Sequence, residues 1–395
     1  MKSVIFESEH LLVAHLQKAA SPAPVFVTFN EMGFRPNGAN FWGDVIFSKL
    51  PFSAVGVVSR TPNWFPAAEM REAAARIKEA TPDACRITYG FSQGAYGALK
   101  FSSALEARGV LAFGPQWSID PVDVGHFDTR YLAYYKSNLD NGRKIVAEDV
   151  GTDSFVFFDP YLSVDAHNVA RLGELPGVQT IPCPFSGHGP IHLLTEAHKS
   201  ATFLEEAAAM IAAGRQAPEI AGSLRRIIRD ARAKSRTYAA QRTIILRQRR
   251  KLSLVVGLKR SSYERLSPTA TLSAAMQQND AAAVGKLIPF LTFEDVNPAG
   301  VINVWRYVRD AGLTDAELRL ADMMLGEGKS AFVRLHAVNS YIGLNLLHMA
   351  RLALHDIVVR YGLTTPGEAQ AALNFAHTLG APELERIARE MLNGA

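Results

Sequence analysis

The chain has 395 residues, a formal net charge of +4, 48% hydrophobic residues and 20% charged residues. This composition is typical of a globular protein with a substantial core, and the length suggests two domains. Two cysteines, Cys85 and Cys183, exclude a disulfide framework and a cysteine-rich metal site. The N-terminal residues do not follow a signal-peptide pattern, and no apolar run reaches about 18 residues. We therefore expect a cytoplasmic protein.

Short apolar runs alternate with helical patterns in the first half of the chain. The runs are Val25–Phe29, Ala54–Ser59, Ile87–Tyr89, Gly109–Phe113, Phe155–Phe158 and Val178–Pro182. Between several of them lie the helical patterns Ala67–Glu79, Ala95–Ala107 and Ala166–Leu172. Wholly apolar short strands between helices predict a mostly parallel sheet covered on both faces. Val4–Phe6 and Leu11–His15 would add two leading antiparallel strands.

The motif Gly90-Phe91-Ser92-Gln93-Gly94 follows the third of these runs and precedes a helical pattern. A G-x-S-x-G turn between a strand and a helix is the setting of a nucleophile elbow, which holds the serine hydroxyl exposed above the sheet. The flanking glycines allow strand and helix to approach without Cβ clashes. The sequence therefore predicts that Ser92 is a nucleophile.

A carboxylate and a histidine follow this serine in the chain. Asp159 ends the fifth run, and His188 lies between two glycines after the sixth. The order Ser92, Asp159, His188 resembles that of the α/β-hydrolase superfamily, and the resemblance covers about the first 210 residues. It implies a doubly wound α/β domain and a triad in which His188 is the general base and Asp159 orients its ring.

Two other residues compete for these roles. Asp165 lies shortly after Asp159, and we interpret it as the cap of the helix that begins at Ala166. His192 follows His188 but falls in a helical pattern. We favour Asp159 because the acid of the superfamily lies at the carboxyl end of a strand.

An oxyanion hole requires two backbone N–H donors. We assign one to Gln93, the residue after the nucleophile, and the other to Met32, in the loop after the first run. This loop reads Asn30-Glu31-Met32-Gly33 and departs from the His-Gly-Gly-Gly loop of lipases and esterases.

Aromatic and polar residues in the predicted loops suggest the kind of substrate. We assign substrate contacts to Asn30, Trp42, Trp64 and Trp117, and the connection 117–150 is short and polar, unlike a lipase lid. Such residues suit an acyl ester carried by a glycan. The alternative is that the tryptophans are core residues, since buried aromatic rings dominate core energetics.

Positive charge is concentrated in residues 223–266, which hold 14 Lys and Arg against two acidic residues. Helical spacing places Arg225, Arg229, Arg232 and Arg236 on one stripe. We interpret 215–266 as a basic helical linker between a hydrolase domain, 1–214, and a third segment, 267–395. The stripe either docks on acidic parts of the protein or contacts a polyanion or a membrane surface.

Residues 267–395 read as short paired helices, which predict an all-helical bundle or short solenoid. A scaffold for a homo-oligomer or a protein partner is the simplest role for it. For the whole chain we expect a serine esterase or deacetylase without a cofactor. An acyltransferase with the same triad, or a non-catalytic scaffold, remains an alternative.

Overall fold

The computed structural model describes residues 2–18, 24–249, 268–291, 298–326 and 329–393. The chain divides into two compact units, Met1–Leu246 and Arg247–Ala395. Residues 250–266, the last third of the predicted basic linker, lie outside the described residues.

The first unit is built on one eight-stranded sheet. Its strands are β1 (Lys2–Glu7), β2 (Leu11–Leu16), β3 (Val25–Phe29), β4 (Ser53–Ser59), β5 (Arg86–Phe91), β6 (Ala107–Phe113), β7 (Ser154–Phe158) and β8 (Val178–Pro182). Their order in space is β1-β2-β4-β3-β5-β6-β7-β8. β2 pairs antiparallel with both β1 and β4, and the remaining pairs are parallel. The predicted sheet with its antiparallel leading strands is confirmed.

Alternate residues of the central strands enter two separate cores. Phe113 and Phe157 point to one face and stack with their ring centroids 4.3 Å apart. Their neighbours Ala112 and Val156 belong to the core on the other face. Since neither face is left to water, the strands need apolar residues at every position, which explains the continuous apolar runs of the sequence.

Helices cover both faces of this sheet. The helices of this part of the chain are α1 (Asp44–Phe47), α2 (Ala67–Ala80), α3 (Gln93–Lys100), α4 (Pro121–Val124), α5 (Ser163–Leu172), α6 (Pro190–Glu196), α7 (Ser200–Ala212), α8 (Ala217–Ala231) and α9 (Arg236–Arg249). Residues of α2, α3 and α5 pack in the core of one face, whereas α6, α7 and α8 pack in the core of the other.

The basic segment begins inside the first unit. Leu224 and Ile228 of α8 are buried in the sheet's core, while Arg225 and Arg229 are exposed. The first compact unit extends to Leu246, and the apolar face of α8 packs in its core. The domain boundary at residue 214 stays a prediction.

The four predicted arginines do not form one stripe. α8 ends at Ala231, and a 3₁₀ turn, Arg232–Lys234, separates it from α9. Arg232 is half-buried, with its guanidinium 5.8 Å from the ring centroid of Tyr238, whereas Arg236 is exposed at the start of α9. The prediction of a single continuous stripe is therefore wrong.

The second unit is helical in its described residues. Its helices are α10 (Pro268–Gln277), α11 (Ala281–Leu287), α12 (Pro298–Asp310), α13 (Thr314–Met324), α14 (Ala331–Gly343), α15 (Leu347–Asp356), α16 (Pro366–Thr378) and α17 (Pro382–Asn393), and a π-helical turn, Ile357–Tyr361, follows α15. The sequence pattern places a helix boundary near residue 340. The helix α14 instead ends at Gly343, and Asn345, in the turn that follows, has a φ of 58°. No helix among the described residues is long and apolar enough to cross a bilayer.

Candidate active site

Ser92 lies between β5 and α3 in a strained backbone conformation. Its φ is 53° and its ψ is −121°, a region that non-glycine residues rarely adopt. The Ser92 N–H donates to Phe113 O at 2.9 Å, which fixes the turn to the end of β6. The predicted strand, elbow and helix are all present.

Close backbone contacts explain both glycines of the motif. A Cβ on Gly90 would lie 2.2 Å from Gly94 O, and a Cβ on Gly94 would lie 2.2 Å from Phe29 O. Neither distance leaves room for a side chain. The start of α3 is therefore pressed against β5 and against the end of β3.

His188 reaches Ser92 from the loop after β8. Its Nε2 lies 2.9 Å from Ser92 Oγ, and its Nδ1 lies 2.7 Å from Asp165 Oδ2. Because an ionised carboxylate only accepts hydrogen bonds, Nδ1 carries the proton and Nε2 accepts from the serine. A Cβ on Gly114, after β6, would lie 2.6 Å from His188 O, so the glycine allows the histidine loop to approach.

Asp165 is the carboxylate that contacts the imidazole. It lies in the first turn of α5 and is fully buried. Burial alone would raise its pKa, but the His188 ring and the Arg130 guanidinium hold the pKa below its usual value. This aspartate is therefore ionised at neutral pH and can orient the histidine.

The prediction that Asp159 has this role is wrong. Asp159 Oδ1 accepts a hydrogen bond from Tyr161 N at 2.9 Å, and Oδ2 accepts one from Gly187 N at 2.7 Å. Burial raises the pKa of Asp159. Asp159 directly follows β7, and its carboxylate binds the backbone of the loop that carries His188. The chain reaches the His188 ring only at Asp165, in the first turn of α5.

Two residues of the 117–150 connection complete the cluster around Ser92, His188 and Asp165. Arg130 donates to Asp165 Oδ1 at 2.8 Å and forms two 2.8 Å hydrogen bonds with the carboxylate of Asp128. Tyr131 Oη lies 3.3 Å from His188 Nε2. Sequence reasoning gave neither residue a role, although an Asp-x-Arg-Tyr run in the 117–150 connection was a visible signal.

The predicted oxyanion donors are close to the end of β3. Gln93 is the first residue of α3, where N–H groups have no acceptor within the helix. Its side-chain Nε2 donates to Ser59 Oγ at 2.8 Å. Met32 is partly buried in the loop after β3, and the Arg35 side chain binds its carbonyl oxygen. The assignment of the Gln93 and Met32 N–H groups stays a prediction.

Comparisons with known proteins concern the fold. No protein-family model and no curated protein matches the sequence. Among solved structures, a capsule O-acetyltransferase of Neisseria meningitidis serogroup A is 12% identical, with a TM-score of 0.38, over 51% of this chain and 92% of that one. Carboxylesterase CesB from Bacillus subtilis is 11% identical, with a TM-score of 0.36, over 55% and 92%. Acetyl xylan esterase 1 from Thermoanaerobacterium is 11% identical, with a TM-score of 0.30, over 45% and 78%.

The first unit has an α/β-hydrolase-like fold. The order of its strands, together with Ser92 after β5 and His188 after β8, agrees with the superfamily resemblance of the sequence. We call Met1–Leu246 the hydrolase-like unit. At such low identity, the chemistry of its site follows from its own residues.

The four residues that we predicted to contact a substrate all contact other protein groups in the hydrolase-like unit. Trp64 is fully buried and donates from Nε1 to Gln116 Oε1, and Trp117 donates from Nε1 to Ile145 O at 3.0 Å. Trp42 packs against Tyr89, with ring centroids 5.0 Å apart. Asn30 is fully buried, and its side chain hydrogen-bonds Ser59 and the carbonyl of Glu31. Each of these side chains thus contacts other protein groups, and substrate contact by Asn30, Trp42, Trp64 and Trp117 stays a prediction.

His192 does not replace His188. It lies in α6, as its sequence pattern predicts, and its ring packs against Phe91 with centroids 5.6 Å apart. Burial lowers the pKa of His192, which favours the neutral ring. Its role is to pack beside the elbow.

Proposed function

We propose that the hydrolase-like unit is a serine hydrolase that cleaves acyl esters through an acyl-enzyme, with Ser92, His188 and Asp165 as its triad. The observation that carries the proposal is the continuous chain of hydrogen bonds from Ser92 Oγ through both nitrogens of His188 to Asp165. Nucleophile, base and orienting acid have the mutual geometry that this chemistry requires.

The reaction begins when Ser92 Oγ attacks the carbonyl carbon of the ester and His188 Nε2 takes the hydroxyl proton. The ionised Asp165 stabilises the imidazolium that forms. As the carbonyl carbon releases the alcohol oxygen, Nε2–H returns the proton to it and leaves an acyl-serine. Water then repeats the sequence and frees the acid.

Backbone N–H groups at the start of α3 and in the loop after β3 would stabilise the developing oxyanion. The strained Ser92 backbone favours this arrangement, because it places the hydroxyl at the tip of the turn. The donors we assign are the Gln93 and Met32 N–H groups.

A short acyl chain suits this site best. Ser92 is only 6% exposed, and aromatic rings of Phe91 and Tyr131 flank the imidazole. The tryptophans whose positions in the sequence suggested a glycan ligand pack against or hydrogen-bond other protein groups. They therefore give no support to a sugar-linked substrate. We therefore assign the esterase function to small acetyl-type esters.

Transfer of the acyl group to an alcohol uses the same intermediate. The low exposure of Ser92 favours this second function, since a site shielded from bulk water can bind an organic hydroxyl in its place. Adding a polyol during turnover distinguishes the two, because transfer yields an acylated polyol at the expense of free acid.

Covalent labelling tests the proposal. We expect a fluorophosphonate probe to label the wild-type protein and the control Ser48→Ala, whose exposed hydroxyl donates to Val45 O, but not Ser92→Ala. Hydrolysis of p-nitrophenyl acetate should follow the same pattern. A folded wild-type protein that neither reacts with the probe nor hydrolyses the ester would favour a non-catalytic scaffold.

A further inference from the structure

Two hydroxyl groups face the same nitrogen of His188. Ser92 Oγ lies 2.9 Å and Tyr131 Oη lies 3.3 Å from Nε2. With its proton on Nδ1, the neutral ring offers one lone pair at Nε2, which accepts one hydrogen bond well. When Ser92 donates to it, the Tyr131 hydroxyl, which also forms a hydrogen bond with the Ser92 side chain, lies beside the nitrogen and the reacting serine.

The segment that carries Tyr131 is anchored to the triad. Arg130 bridges Asp128 and Asp165, and its guanidinium lies 5.1 Å from the ring centroid of Tyr131. On the other side, the Tyr131 ring packs against Trp64 with centroids 5.1 Å apart. One carboxylate, Asp165, thus positions both the imidazole and the neighbouring phenol.

The phenol is a hydrogen-bond donor at neutral pH. Burial raises the pKa of Tyr131, and the charge of Asp165 adds to this effect, although Arg130 opposes it. The hydroxyl therefore keeps its proton while Nε2 gains and loses one.

We propose that Tyr131 is a catalytic residue that donates a hydrogen bond to the ester oxygen that leaves in acylation and to the oxygen that attacks in deacylation. In acylation, the bond between the carbonyl carbon and the alcohol oxygen breaks, Nε2–H supplies the proton to that oxygen, and Tyr131 stabilises its charge. In deacylation, Nε2 takes a proton from water while Tyr131 holds the water oxygen. The tyrosine itself gains and loses no proton. This inference rests on the proposed function.

A comparison of leaving groups tests this role. Ethoxide leaves as a strong base and needs a proton and a hydrogen bond, whereas p-nitrophenolate is a stable anion. For Tyr131→Phe we expect kcat/KM for ethyl acetate to fall about tenfold, as for the loss of one hydrogen bond, and kcat/KM for p-nitrophenyl acetate to stay within about twofold. The matched control is Tyr134→Phe, since Tyr134 also packs on Trp64. It should leave both values unchanged.

Deacylation gives a second readout. With p-nitrophenyl acetate, we expect kcat and KM of Tyr131→Phe to fall together, because attack of water on the acyl-serine becomes slower while acylation does not. Fluorophosphonate labelling of Tyr131→Phe should remain, since fluoride leaves without a proton.

An equal loss of kcat/KM for both esters would overturn the inference. The Tyr131 hydroxyl would then bind the carbonyl oxygen or serve only in packing. Unchanged kinetics for both esters would remove any role for the hydroxyl. Failure of the proposed function looks different, because the wild-type protein itself would then show neither labelling nor turnover.

Discussion

Asp165 Oδ2 lies 2.7 Å from His188 Nδ1, and the donor of this pair is fixed because the carboxylate only accepts. The aspartate belongs to the first turn of a helix and not to the strand end that precedes it. The orienting acid of the site is thus six positions further along the chain than the strand pattern indicates.

Exchange of each aspartate for asparagine separates the two roles. We expect Asp165→Asn to lower kcat about 1,000-fold to 10,000-fold, because the amide favours the wrong imidazole tautomer. Asp159→Asn should stay within about tenfold but lower the melting temperature, because the amide NH₂ would face backbone N–H groups of the histidine loop. Steady-state kinetics and thermal unfolding of both variants provide the measurement, and a larger loss of kcat in Asp159→Asn would contradict the assignment.

The ionised state of Asp165 also predicts how stability depends on pH. Burial raises its pKa, but His188 and Arg130 hold the value below that of the unfolded chain. A depressed carboxyl pKa contributes stability above the unfolded value of about 4, and this contribution is lost as the pH falls through the folded value. The melting temperature of the wild-type protein should therefore exceed that of Asp165→Asn above about pH 5 and converge with it below about pH 4. If the two melting temperatures differed by the same amount above about pH 5 and below about pH 4, the charge of Asp165 would not contribute to stability.

We expect substitutions of two glycines, one in the elbow and one exposed in α8, to have opposite effects on stability. Gly94→Ala should destabilise the protein by about 1–3 kcal/mol or more, because its Cβ would collide with Phe29 O. Gly222→Ala is the control, since Gly222 lies exposed in α8 with no atom near its missing Cβ, and it should stabilise by about 0.5–1 kcal/mol. Thermal unfolding measures both, and equal effects would argue against the tight turn.

The exposed arginines of α8 and α9 give a surface for a polyanion, which is our proposal for the basic segment. Arg225, Arg229 and Arg236 are exposed, and we expect their joint exchange for Gln to lower the salt concentration at which heparin releases the protein. As a control, exchange of Arg71, an exposed arginine of α2, should have little effect. Binding to heparin that does not depend on salt, or no binding at all, would contradict this role.

Much of the sheet and the turn that carries Ser92 could be predicted because local signals define them. Buried parallel strands need apolar runs, and the elbow needs glycines on both sides of Ser92. The contact between Asp165 and His188 could not be predicted, because a carboxylate in the first turn of a helix has the same local sequence pattern whether it caps the helix or faces a histidine from another loop. The roles of Arg130 and Tyr131 depend on where an irregular connection folds, and this is set by tertiary contacts that no sequence period records.

Packing of α8 determines how far the chain must extend for a self-contained hydrolase-like unit. A protein that ends at residue 214 would lack Leu224 and Ile228, and the apolar atoms they cover would face water. Such a fragment should aggregate on expression, whereas one that ends at Leu246 should keep α8 packed in the core.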